Sequence, residues 1–181
     1  SLKRTTNVYL QEVGAFAPKT IEYSARQLAA DIAVYTNIGV SHIESYGSQE
    51  ALTADKLSLS TFGKPDGLAI INYDDPILMG HRFTQQVITY SLKNPQAMYY
   101  AKNILRADDG YTFTLVDRAA AEEHPAQIHV LGEHNILNAV VAFAVGKALK
   151  LPDEEILAGI ASYHPSGMRQ NLLQAGKYRV F

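Results

Sequence analysis

Cysteine and tryptophan are both absent from the 181 residues of this chain. Without cysteine there can be no disulfide framework, no thiolate zinc or iron–sulfur site and no thiol nucleophile. An excess of one charge is missing too: 16 basic and 18 acidic residues are spread along the chain for a formal net charge of −2. No basic stripe points to DNA or RNA as a partner. Long apolar runs are also wanting. The most apolar stretch, Ile136 to Leu149, is interrupted by Asn138, Gly146 and Lys147, and it falls short of the ~20 residues that a membrane-spanning helix needs. Lys3 and Arg4 are not followed by an apolar segment with a small-residue cleavage site, so no export signal is read. A cytoplasmic location is the expectation.

What is present is ordinary globular composition, 47% hydrophobic and 19% charged, enough for one domain with a sizeable core. Residues 7–13 are β-rich and end in Gly14, residues 17–30 carry apolar positions at helical spacing, and residues 31–36 form a second apolar run. The pattern predicts a βαβ unit with parallel strands. A helix is expected over 48–62 with Ser48 as N-cap, then a strand over 68–73, a short helical segment over 75–82 and a strand over 86–92. The texture then changes. Residues 98–107 and 111–116 flank Asp108-Asp109-Gly110, a hairpin signal, and residues 127–131 supply another strand. Helices follow over 134–149 and 152–163, and residues 168–181 read as an extended hairpin. The expected class is α/β: a mainly parallel sheet flanked by helices, with a small antiparallel β insert.

Ligands of open parallel sheets bind beyond the carboxyl ends of the strands, where Glu12 and the segment Thr36 to His42 are expected. From the residues alone, Glu12 reads as a solvated loop carboxylate or a partner for a backbone N–H, Lys56 as a solvated helix lysine and His42 as a helix-start histidine bonded to backbone. His81, His124, His129 and His164 show no metal-ligand spacing. No P-loop is found either. The Gly-Lys pairs at 63–64, 146–147 and 176–177 are followed by Pro, Ala and Tyr where Ser or Thr is required.

Four stretches, Tyr9 to Ala15, Thr36 to Glu44, Tyr46-Gly47-Ser48 and Ala54-Asp55-Lys56-Leu57, occur in the order and spacing of the Mur ligase central domain. Gly132 to Ala139 resembles that family's His-Asn-x-x-Asn-Ala helix start, and Gly167-Met168-Arg169 resembles its arginine motif. The resemblance implies the central-domain fold over residues 1–165, lacking the P-loop strand and helix, and a junction to a carboxy-terminal domain over 166–181. It implies an ATP-dependent cytoplasmic ligase that joins an amino acid or dipeptide to a UDP-N-acetylmuramoyl-peptide through an acyl phosphate. D-alanyl-D-alanine is the favoured amine and the full-length enzyme is expected to be monomeric. By the same resemblance Glu12, His42 and Lys56, the last as a carbamate, would be catalytic and hold Mg²⁺, while Asn135, Asn138, His134 and Arg169 would bind ATP.

A chain without a P-loop is expected to be a piece of a longer enzyme and inactive alone. Two alternatives stay open: a folylpolyglutamate or cyanophycin synthetase-like relative, and a non-catalytic module that binds a nucleotide or a protein.

Overall fold

The computed structural model describes residues 7–39, 43–164, 173–175 and 178–180. Six strands form one mixed sheet in sequence order: β1 (Ile32–Tyr35), β2 (Leu68–Asn72), β3 (Gln86–Ser91), β4 (Tyr99–Arg106), β5 (Tyr111–Asp117) and β6 (Glu122–Ile128). Helices α1 (Thr20–Leu28), α2 (Ile43–Tyr46), α3 (Gln49–Thr61), α4 (Pro76–Gly80), α5 (Glu133–Ala148) and α6 (Asp153–Ala161) accompany it. A separate two-stranded ribbon pairs β7 (Leu173–Ala175) with β8 (Tyr178–Val180). The expected α/β class with an antiparallel insert is what the chain forms: β3 and β4 pair in parallel, whereas β4–β5 and β5–β6 are antiparallel.

Two compact units divide the chain. The first comprises Ser1–Val34, Ile38–Ala69 and Arg82–Gln86. Its helices α1 and α2 pack on α3, around a core of Ala15, Ile21, Tyr46 and Leu52 edged by Val13 and Leu59. Ser48 caps α3 by accepting from Ala51 N at 3.1 Å, as its position before the helix predicts. The strand expected over residues 7–13 does not form, and Val8, Tyr9 and Leu10 are exposed, Leu10 at 86%. Strand preference is a fit to a neighbouring pleated edge rather than a property of the segment alone, and among the described residues no strand pairs with this one. The expected first βαβ unit is therefore not made.

The second unit comprises Tyr35–Asn37, Ile70–His81 and Val87–Phe181. In it α5 turns Ile136, Ala139, Val140, Phe143 and Ala144 inward, the three-four spacing of one buried helix face. Phe143 meets Tyr99 of β4 edge-on, ring centroids 5.7 Å apart. Helix α6 crosses α5 at Gly146, where a Cβ would come within 2.6 Å of the Ile156 side chain, so the close approach requires glycine. The final strand of the sheet spans 122–128 rather than 127–131. Pro125 hides it from a sequence reading, yet β6 lies at the sheet edge, where a missing N–H is tolerated.

Candidate functional site

In the first unit the local structure converges on one carboxylate. Helix α1 begins after Lys19, whose backbone is left-handed and whose side chain caps nothing. Its leading N–H groups turn instead to Asp55 of α3: Glu22 N donates to Oδ1 at 2.9 Å and Ile21 N to Oδ2 at 3.3 Å. The Tyr46 hydroxyl, at the end of α2, donates to Asp55 Oδ2 at 2.6 Å and also lies 2.7 Å from the Ala17 carbonyl oxygen. Asp55 is 7% exposed. A buried carboxylate holding amides at a positive helix end is well compensated. Burial, then the hydrogen bond to Asp55, pushes the Tyr46 phenol well above its ordinary range, so it stays a donor.

Lys56 follows Asp55 on α3 and is half-buried. Glu12 lies on the exposed, unpaired run before α1, not at a strand end as expected. His42 lies outside the described residues, immediately before α2. Mg²⁺ is commonly held by one or two carboxylates together with substrate phosphates. The exposed carboxylate of Glu12 fits that donor set, and Lys56 fits it only as a carbamate, since an ammonium would repel the ion.

The second unit brings Asn135 and Asn138 together at the start of α5. Buried Asn135 donates from Nδ2 to the Leu131 carbonyl at 2.8 Å, and Asn138 Nδ2 lies 3.4 Å from Asn135 Oδ1. Both line a cavity of about 540 Å³ between α5, α6 and Ile128, with Val145, Ile156 and Ile160 among its apolar walls. Apolar walls with two amides suit the flat ring and polar edge of a nucleobase. His134 is exposed, its imidazole lying over Gly132, where a Cβ would come within 2.5 Å of it. Arg169 lies outside the described residues.

Still within the second unit, side chains tie together the carboxyl ends of three strands. Tyr90 donates to the Tyr35 carbonyl at 2.9 Å and Asn72 to the Thr36 carbonyl at 3.0 Å. Asp74 accepts from the Ser91 hydroxyl at 2.7 Å and from Leu92 N at 3.2 Å. The exit of β1 at Thr36 is thereby fixed where an open sheet presents ligands.

One cluster escaped the sequence reading. Glu122, His124 and Asp153 form the one group of three metal-capable side chains found among the described residues. His124 Nε2 stands 3.7 Å from Glu122 and 3.6 Å from Asp153. The cluster already has a cation: Lys147 Nζ sits 2.8 Å from Asp153, 3.6 Å from Asp117 and 3.7 Å from Glu122. The hydrogen bond to Asp153 holds the Lys147 pKa above its ordinary value. The five side chains come from four elements, β5, β6, α5 and α6, at sequence separations that no spacing motif covers. Asp55 and Tyr46 were equally invisible as a pair, because nothing in their spacing reveals that both face the start of α1.

The Mur ligase middle domain family matches residues 1–146. Among similar proteins, the UDP-N-acetylmuramoyl-tripeptide--D-alanyl-D-alanine ligase of Bacillus subtilis (strain 168) is 29% identical over 174 residues, covering 96% of this chain and 37% of that protein. The UDP-N-acetylmuramate--L-alanine ligase of Acidiphilium cryptum (strain JF-5) is 32% identical over 163 residues, covering 83% of this chain and 33% of that one. In structure, MurF from Acinetobacter baumannii superposes with a TM-score of 0.81 at 22% identity, over 92% of this chain and 36% of that chain. MurF from Thermotoga maritima, solved with ADP, gives 0.74 at 18% identity, over 90% and 37%. The chain thus spans about a third of the length of the relatives it matches.

Proposed function

The chain belongs to the Mur ligase middle domain family, and from that premise we propose that it is the nucleotide-binding part of an ATP-dependent, amide-forming ligase of peptidoglycan precursor synthesis. In this reading residues 1–165 are the central domain and 166–181 its junction to a further domain. The full-length protein is a cytoplasmic monomer that takes a UDP-N-acetylmuramoyl-peptide, with D-alanyl-D-alanine as the favoured amine. The substrate carboxylate takes the γ-phosphoryl group of ATP and releases ADP; the amine then attacks the acyl carbon and phosphate leaves.

The observation that supports the reading most is the pairing of Asn135 and Asn138 on one cavity at the start of α5, within the region that the family matches. The two amides would orient the adenine edge and the apolar walls would exclude water from its faces. Arg169 would reach the ribose and phosphates, and His134 would steady the loop before α5. Glu12, His42 and carbamylated Lys56 would hold Mg²⁺, which supplies charge neutralisation where phosphate meets carboxylate. No P-loop is written in this sequence, so the phosphate cradle belongs to another part of the full-length protein, and this chain by itself should not turn over ATP.

The test is phosphate release by the full-length protein given UDP-N-acetylmuramoyl-tripeptide, ATP and Mg²⁺. Release that depends on D-alanyl-D-alanine is expected. Release that depends on L-alanine with UDP-N-acetylmuramate would replace the favoured substrates and keep the ligase. No ATP binding by the full-length protein would overturn the reading.

A further inference from the structure

We propose that Asp55 and Tyr46 are positioning residues for the Mg²⁺ site, a buried carboxylate–phenol clamp that sets the relative placement of the two segments carrying Glu12 and Lys56. The proposal rests on the assignment of those two residues to the metal, made above.

Each segment reaches the clamp through a different bond. The run that carries Glu12 continues through Ala15, packed in the core beside Tyr46, to Ala17, whose carbonyl oxygen lies 2.7 Å from the Tyr46 hydroxyl. Helix α2 ends on Tyr46 itself. Helix α3 supplies Asp55, one residue before Lys56. Adjacent helical residues differ by a rotation of about 100°, so a carboxylate locked by three donors fixes the direction in which the next side chain leaves the helix. The Ile21 and Glu22 amides complete the lock by anchoring α1, the continuation of the Glu12 segment, to the same two oxygens.

The chemistry separates this pair from the ligands. Asp55 spends both oxygens on the protein, and it is buried. Its contribution is geometric: a misplacement of about 1 Å at a reacting centre costs on the order of 100-fold in rate.

The experiment compares four variants of the full-length protein: Tyr46→Phe and Asp55→Asn for the clamp, Glu12→Ala and Lys56→Ala for the ligands. The readouts are kcat, KM for ATP, and Mn²⁺ affinity from the electron paramagnetic resonance of the free ion, with circular dichroism to verify folding. Tyr46→Phe keeps the ring in its core position and removes only the hydroxyl, so it provides the decisive arm if Asp55→Asn does not fold. Each clamp variant is expected to lower kcat about 10- to 100-fold and weaken Mn²⁺ binding, with KM for ATP changed less than about 3-fold. In a Lys56→Ala background, Tyr46→Phe should weaken Mn²⁺ no further.

A folded Tyr46→Phe protein with unchanged kcat and Mn²⁺ affinity, while Glu12→Ala and Lys56→Ala lose both, overturns the clamp and leaves the metal assignment standing. Full activity and full Mn²⁺ affinity in Glu12→Ala and Lys56→Ala overturn the metal assignment itself.

Discussion

Asp55 in the first unit and Lys147 in the second each gather several groups around one charged side chain, by opposite means. Asp55 is buried and meets neutral donors: two backbone amides at a helix start and a phenol. Lys147 keeps about a fifth of its side chain exposed and meets carboxylates, with Asp153 at 2.8 Å and Asp117 and Glu122 beyond 3.5 Å. The first arrangement is directional, since every partner must arrive along a lone pair. The second is mainly Coulombic and tolerates displacement, with the His124 imidazole close to two of the carboxylates. A directional hub fixes geometry, whereas a Coulombic hub contributes attraction that counter-ions can replace.

The largest effect should follow from removing the directional hub. Asp55→Ala leaves the Ile21 and Glu22 amides without their acceptor and the Tyr46 phenol with only the Ala17 carbonyl, at a cost of about 3 kcal/mol. Hydrogen exchange in the full-length protein should show the Ile21 and Glu22 amides losing protection while those of α5 keep theirs. Loss of protection in α5 as well would mean that the hub supports far more than its own unit.

Much of this was legible beforehand and some was not, for physical reasons. The buried stripe of α5, the Ser48 cap and the 108–110 turn are local patterns, and they stand where the sequence places them. The neighbouring amides of Asn135 and Asn138 were legible through helical spacing. Residues 7–13 misled because a β-rich composition describes a strand only when an edge is there to receive it. β6 was displaced in the reading because Glu122-Glu123-His124-Pro125 has the composition of a loop, and only its edge position makes it a strand. Both hubs were hidden because they join residues distant in sequence. Asp55 reaches back 33 and 34 residues to α1, and pairing at that range is decided by packing, not by period.

The next effect is in the response to alkali. Burial, followed by the nearby Asp74 and Asp75 charges, raises the Tyr90 phenol, and burial with Asp55 raises Tyr46. An acid whose folded pKa lies above its unfolded value of 10.0 contributes stability that is complete below that pH and is lost as pH climbs toward the raised value. Each phenol should steepen the fall by at most about 1.4 kcal/mol per pH unit above pH 10. Absorbance of tyrosinate should therefore rise in two stages, exposed phenols first and these only with unfolding. Tyr90→Phe should make the stability loss above pH 10 shallower; an unchanged slope would show that the phenol titrates freely in the folded chain.

Lys147→Met tests the Coulombic side. The three carboxylates then face one another; Asp117 is buried, but Glu122 and Asp153 lie near solvent and screening ions, so a loss of about 1 kcal/mol is expected at low salt. It should shrink in 1 M salt, read as a narrowing gap between the thermal midpoints of variant and parent. The Asp55→Ala loss should stay nearly constant over the same salt range. If both losses respond alike to salt, the contrast between directional and Coulombic hubs fails.

The smallest effects should come from ion pairs that are short yet exposed, one in each unit. Lys64 lies 2.5 Å from Asp31 in the first unit, and Lys102 lies 2.6 Å from Glu123 in the second. In both, the hydrogen bond to the partner raises the lysine pKa. Distance alone would rank these two pairs above every contact of Lys147. Solvent reverses that ranking, because water solvates each ion almost as well as its partner does, and ordering two long side chains offsets the attraction. Lys64→Met and Lys102→Met should therefore leave the thermal midpoint unchanged within error at any salt concentration. A clear loss in either would mean that short distance rather than burial governs these hubs, and Asp55 and Lys147 would then differ by geometry alone.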